Sequence, residues 1–94
     1  MNLNEMADKV NSKETFLEFV RALAADKAEE DKLEKKSPSN PYGQRAKGWE
    51  NGSMEMFLDA MQAWASAPAN KKRVSEEADW KTFAWILHAG KFYE

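Results

Sequence analysis

WENGSMEMFLDAMQAW, residues 49–64, decides how this chain folds. From Met54 onward, Phe57, Leu58, Met61 and Trp64, with Ala65 just beyond, recur at i, i+3, i+4 and i+7, the period of one helix face. Pro68 stops the run, so the stretch reads as a helix over 53–67. The three residues ahead of it pose the functional question. Asn51 or Ser53 can accept hydrogen bonds from the free N–H groups of the first turn, and Glu50 suits the positive end of the helix dipole. Trp49 would fold back over the helix start as an apolar lid. Each of these residues therefore has a structural job, and the lead-in reading outweighs that of a site.

Outward from this helix the apolar period stays helical. Towards the N-terminus, Phe16, Phe19, Val20 and Leu23 share one face, with Asn11 or Ser12 as N-cap and Glu14 completing a capping box with Asn11. Beyond Ala25 the stripe fades into DKAEEDKLEKK. There Lys27/Asp31 and Asp31/Lys35 are favourable pairs, while Asp26/Glu30 and Lys32/Lys36 are like-charged. The segment reads as helix running into solvent and ending between Lys27 and Lys36. Leu3, Met6 and Val10 fit a short N-terminal helix after Asn2 or Asn4, or a frayed tail. Residues 37–48 hold two prolines and two glycines and read as a loop, as do 68–75. Ser75 or Asp79 can cap a last helix over 76–92, with Trp80, Phe83, Ala84 and Leu87 on one side and Trp85, Ile86, Phe92 and Tyr93 around the rest. A helix that is apolar all round is central or covered by a partner. No strand pattern and no internal repeat appear. The expected fold is all-α: one domain over 1–94, a small three-helix bundle near 13–30, 53–67 and 76–92, with the short N-terminal helix as an addition. Its expected core is Phe16, Phe19, Val20, Leu23, Phe57, Leu58, Met61, Trp64, Trp80, Phe83, Ala84 and Leu87.

Length and composition agree with a single core: 94 residues suffice for one domain and not for two. There is no cysteine, which excludes disulfides and thiolate chemistry. MNLNEMADKV has no basic segment followed by an apolar run, and no stretch approaches the roughly 20 apolar residues of a membrane span, so a cytoplasmic protein is expected. Fourteen basic residues against sixteen acidic leave a net charge of -2, which gives no general attraction to phosphate backbones.

Several motifs resemble those of a known family. W-E-N-x-[ST]-[LM]-x-x-F-L-x-A-x-x-A-W, here Trp49 to Trp64, and W-x-x-F-A-x-x-L-x-A-G-x-x-Y-E, here Trp80 to Glu94, are similar to a family of small bacterial proteins known as a domain of unknown function. Ser12 to Val20 is similar too, whereas Ala24 to Lys47 looks individual. The resemblance implies a small helical protein and supplies no activity.

Chemistry-bearing constellations are sparse. His88 is the only histidine, and a Ser-His-Asp triad built on it would need three helices to converge without a nucleophile elbow. Glu29, Glu30, Asp31 and Glu34 interleave with lysines on a segment read as solvated, and Glu76, Glu77 and Asp79 stand where a helix start favours acids. No EF-hand, HExxH or phosphate loop occurs, so no metal, cofactor or catalytic residue is expected. Lys71, Lys72 and Arg73 form one short basic run, too small for a nucleic-acid stripe. At the C-terminus Phe92 and Tyr93 are expected to pack back on the bundle, with His88 and Lys91 near the negative end of the last helix.

The remaining signal is aromatic excess. Four tryptophans are more than a three-helix core of this size places centrally, which points to a surface that binds another protein. The residues proposed for that contact are Trp49, Glu50, Asn51, Trp85, Tyr93 and Glu94. The expected protein is a non-catalytic interaction module, by analogy an immunity-like one, existing as a monomer or weak homodimer. The alternative is an enzyme or small-ligand binder in which Glu50, Asn51, Tyr93 and Glu94 converge in one cleft.

Overall fold

The computed structural model describes residues 1–41 and 43–94; Tyr42, within the 37–48 loop, lies outside the described residues. Four α-helices follow one another: α1, Leu3–Asp8; α2, Lys13–Lys36; α3, Met54–Ser66; and α4, Trp80–Phe92. A 3-10 turn, Pro68–Asn70, follows α3. The all-α class and the short N-terminal helix are as expected.

Local chemistry explains where each helix starts. Asn2 caps α1: its Oδ1 accepts the Glu5 amide at 2.8 Å, and the Glu5 carboxylate reaches back to the Asn2 amide. The capping box of α2 is Ser12 with Thr15, not Asn11 with Glu14. Ser12 Oγ accepts the Thr15 amide at 3.1 Å and Thr15 Oγ1 accepts the Ser12 amide at 3.0 Å, because Thr15 stands three residues after the true cap. Ser53, rather than Asn51, caps α3 by accepting the Met56 amide. The last helix starts at Trp80 and not at 76. Asp79 accepts both the amide (2.8 Å) and the hydroxyl (3.0 Å) of Thr82, whereas Ser75 spends its hydroxyl on the Glu77 amide in a turn. Glu76 and Glu77 thus precede the helix. The Asp79 carboxyl lies below its ordinary range because the Thr82 backbone and side-chain hydrogen bonds favour its charged form.

The bundle has a hub. α4 packs against α1, α2 and α3, whereas α2 and α3, among the described residues, do not meet. Ala7, Val10, Phe19, Leu23, Trp49 and Ala84 form the core, with Phe16, Phe57, Trp85 and Leu87 half-buried against it. Three residues expected in the core are exposed: Leu58 at 53%, Trp80 at 39% and Phe83 at 39%. The reason is one of rotation. Because α3 is covered by α4 alone, it buries the narrow stripe of Phe57, Ala60, Met61 and Trp64, and Leu58, one residue and so about 100° round from Phe57, turns outward. Trp80 and Phe83 lie on α4 near Phe16 of α2, where no further helix covers them.

At the crossing of α3 and α4 there is no room for a side chain. A Cβ on Gly90 would come within 2.7 Å of the Phe57 ring and 3.0 Å of Met61 Cγ. Gly90→Val is expected to lose about 1–3 kcal/mol through overpacking, far more than the few tenths it gains in helix propensity. Gly52→Ala, with open space around the new methyl group, serves as the control and should stay within about 0.5 kcal/mol. Urea denaturation of the two variants checks both values.

Candidate functional site

Asp26, Glu30 and Glu34 stand at i, i+4 and i+8 and therefore line one face of α2. That face is not solvated as the like-charged spacing suggests. It receives the loop between α2 and α3. Glu34 accepts the Ser39 amide at 2.9 Å, the Ser39 hydroxyl, and the Ala46 amide at 2.8 Å. Glu30, fully buried, accepts the Lys47 and Trp49 amides on one oxygen, at 3.2 and 3.0 Å, and Arg45 Nε on the other at 3.1 Å. Gly48 between those two amides has φ +79°, a left-handed turn that glycine adopts without strain and that lets both N–H groups reach the same oxygen. A buried carboxylate persists only when paired and hydrogen-bonded, and the loop supplies both. On the outer side of the helix Lys27 pairs with Asp31, as the sequence indicates.

Asp26 completes the row. Its Oδ2 accepts the Trp49 indole N–H at 2.8 Å and the Lys91 ammonium at 2.9 Å, with Lys47 Nζ at 3.8 Å from Oδ1. Partial burial pushes the Asp26 carboxyl up, but the Lys91 and Trp49 hydrogen bonds and the two lysine charges together hold it below its usual value. Hydrogen bonds from the Ser39 hydroxyl, the Ser39 amide and the Ala46 amide, in that order, lower Glu34 to about 2.

Trp49 is buried between the helices. Its ring stacks on Phe57 of α3 with centroids 6.0 Å apart, its indole binds Asp26 of α2, and the Lys27 and Lys91 ammonium groups lie 5.8 and 5.7 Å from the ring centre. It thus bridges the two helices that do not otherwise meet. Asn51, also buried, caps the other end of the molecule's hub: its Nδ2 donates to the carbonyls of Gly90 (3.0 Å) and Tyr93 (2.9 Å). The amides of Glu50 and Asn51 both donate to the Lys91 carbonyl. Carbonyls left unpaired at the C-terminus of α4 are thereby satisfied by a segment about 40 residues earlier.

The remaining proposed residues divide. Glu50, Tyr93 and Glu94 line one open depression at the end of α4, with Phe92 beside them. Asn51 keeps its amide on main-chain carbonyls and Trp49 faces inward. Trp85 lies apart, half-buried, its ring 5.6 Å from His88. His88 itself is buried among the rings of Phe19, Trp85 and Phe92, and its Nδ1 has no hydrogen-bond partner among the described residues. Desolvation, with the Lys91 charge adding to it and Asp26 opposing, holds its pKa below the ordinary value. Lys91 stands in the last turn of α4, as expected, and its ammonium reaches to Asp26. Tyr93 is half-buried as expected, but Phe92 is exposed at its outer edge.

One surface feature went unassigned by the sequence. Phe16, Trp80 and Phe83 form a three-ring cluster, with centroids 5.3 to 6.3 Å apart, and present Trp80 and Phe83 to solvent. The only forewarning is that the last helix is apolar all round. Among the described residues no group of His, Asp or Glu is arranged to hold a metal ion, and no helix is long and apolar enough to cross a membrane.

A small all-α bundle whose second helix pins a Pro/Gly loop by three carboxylates is thus the class of protein defined here. A model of a family of unknown function (DUF7660) matches residues 12–94, and the chain belongs to that family. No curated protein and no solved structure matches it.

Asn51→Ala strands two carbonyls at the end of α4 and should destabilise the fold by about 1–3 kcal/mol, whereas Glu50→Gln, at an exposed side chain, should stay within about 0.5 kcal/mol. Thermal and urea unfolding of both variants test this. Acid unfolding carries two marks. His88 has a folded pKa below its ordinary value of 6.5, so the unfolded chain takes up the proton first and stability falls as pH drops below 6.5. Glu34 contributes stability that is complete above 4.5 and lost as pH falls towards 2. His88→Gln should flatten the first limb and Glu34→Gln the second in chemical unfolding curves measured across pH.

Proposed function

We propose that this chain acts by binding another protein, without catalysis, through the surface formed by Phe16, Trp80 and Phe83. The observation that carries the reading is the exposure of two large rings that touch each other and Phe16 but are covered by no helix. Clustered aromatics are the usual anchors of protein contacts, and exposing them in a monomer is costly. Trp49 and Asn51 belong to this reading as supports: they fix α2, α3 and the end of α4 relative to one another. The chain itself is a monomer or weak dimer in this reading, and a partner has to extend its contact beyond the two rings, each about two-fifths exposed, to reach the roughly 800 Å² per side of a standard interface. A cytoplasmic protein that covers its partner stoichiometrically, in the manner of an immunity protein, is the form of action this supports.

A second reading rests on the depression shared by Glu50, Tyr93 and Glu94. Two carboxylates and a phenol at one mouth suit a small cationic ligand or acid–base work. The two readings separate experimentally. A photo-crosslinking residue at position 80 should capture one protein in the native host, and the same residue at Gln62, exposed on α3, should not. Identical adducts from both positions would remove the aromatic surface from consideration. Loss of a host phenotype in Glu50→Gln, with crosslinking at 80 intact, would favour the depression.

A further inference from the structure

The first helix is short and held to the bundle by apolar packing. Ala7 and Val10 are fully buried and Leu3 and Met6 pack half-buried against the core, so the docking stripe is i, i+3, i+4 and i+7. Yet among the described residues no hydrogen bond or ion pair joins residues 1–10 to α2, α3 or α4. A six-residue helix has no stability of its own, so α1 is helical only while seated. Open grooves of about 890 and 950 Å³ run along its two edges. In the second groove lie α1's first residues and His88, whose buried Nδ1 finds no partner in this seating. The family match begins at Ser12 and leaves α1 outside it.

Charge defines what the seat accepts. In the first groove Glu5 and Asp8 of α1 face Lys72, Arg73 and Lys81, with Asp79 on the same wall, and none of these pairs closes to an ion pair. Lys72 and Arg73 of the 68–75 loop therefore border the seat of α1.

We infer that α1 is a displaceable occupant of a helix-binding groove on α4 and α2, and that the groove takes, in exchange, an acidic amphipathic helix of a protein partner. The partner helix presents apolar side chains in the places of Leu3, Met6, Ala7 and Val10 and carboxylates in those of Glu5 and Asp8. This surface is separate from the Phe16, Trp80 and Phe83 cluster, so either can fail without the other.

Hydrogen exchange on the unmodified chain is the first test. The amides of Met6 to Val10 should exchange at least about 100-fold faster than those of Ala84 to Gly90, as expected for a unit that opens without the rest. Equal protection would make α1 an integral part of the bundle and overturn the inference. The second test uses full-length Val10→Asp, which unseats α1, and a fluorescent peptide with the sequence of residues 1–11. The peptide should bind the variant saturably and the unmodified chain at least about tenfold more weakly, since there α1 competes from within. A peptide carrying Glu5→Lys and Asp8→Lys should bind the variant more weakly than the native one. Equal binding to both proteins, or none to a folded variant, would overturn the proposal. Should Val10→Asp not fold, the exchange rates of the unmodified chain decide alone.

Discussion

The buried carboxylate of Glu30 is the constraint to which the middle of this molecule answers. An ion taken wholly out of water has to be met by charge and by hydrogen-bond donors, and removing one partner of such a group is more damaging than never having buried it. Here the donors come from Arg45, Lys47 and Trp49. Satisfying Glu30 therefore fixes the path of the loop, delivers the Trp49 ring to the gap between α2 and α3, and sets Asn51 against the end of α4. Asp26 and Glu34 extend the arrangement one turn either way along the same helix. A segment with the composition of a flexible linker is thus held by its backbone amides together with the side chains of Ser39, Arg45 and Lys47.

Much of the architecture was legible because it is local. Helix period, the stopping effect of Pro68 and caps such as Asn2 and Ser53 involve residues within a turn or two of one another. Asp26 with Glu30 looks repulsive on a helix considered alone, and nothing nearby in the sequence announces that residues up to 23 positions ahead will supply the donors that the pair needs. Asn51 is the same case at longer range. Its amide type suits the start of the helix that follows it, but the groups it serves lie 39 and 42 residues later, at the end of α4. Leu58, Trp80 and Phe83 failed for a different reason. Apolar period fixes that a face exists, while the few tens of degrees that decide its centre depend on what else packs there, and α3 has only one neighbour to face.

The tryptophans show why composition alone could not separate core from contact surface. Trp49 and Trp64 are buried, Trp85 is half-buried beside a histidine, and Trp80 stands in the open cluster. Each use exploits a different part of the same side chain: the indole N–H in Trp49, bulk in Trp64, and an accessible face in Trp80. The family match over residues 12–94 takes in tryptophans of both kinds, so membership does not separate buried from exposed ones.

Trp49 and Asn51 also tie together segments far apart along the chain. Asp26 and Lys91, joined by a hydrogen bond, are 65 positions apart, and Asn51 reaches 39 and 42 positions ahead. Closing such loops costs entropy before any contact repays it. Interactions formed after the folding barrier govern how fast a protein opens and hardly touch how fast it forms. φ-values at Glu30, Trp49 and Asn51 therefore define the loop's kinetic part: near zero it is a brake on unfolding, near one it belongs to the nucleus.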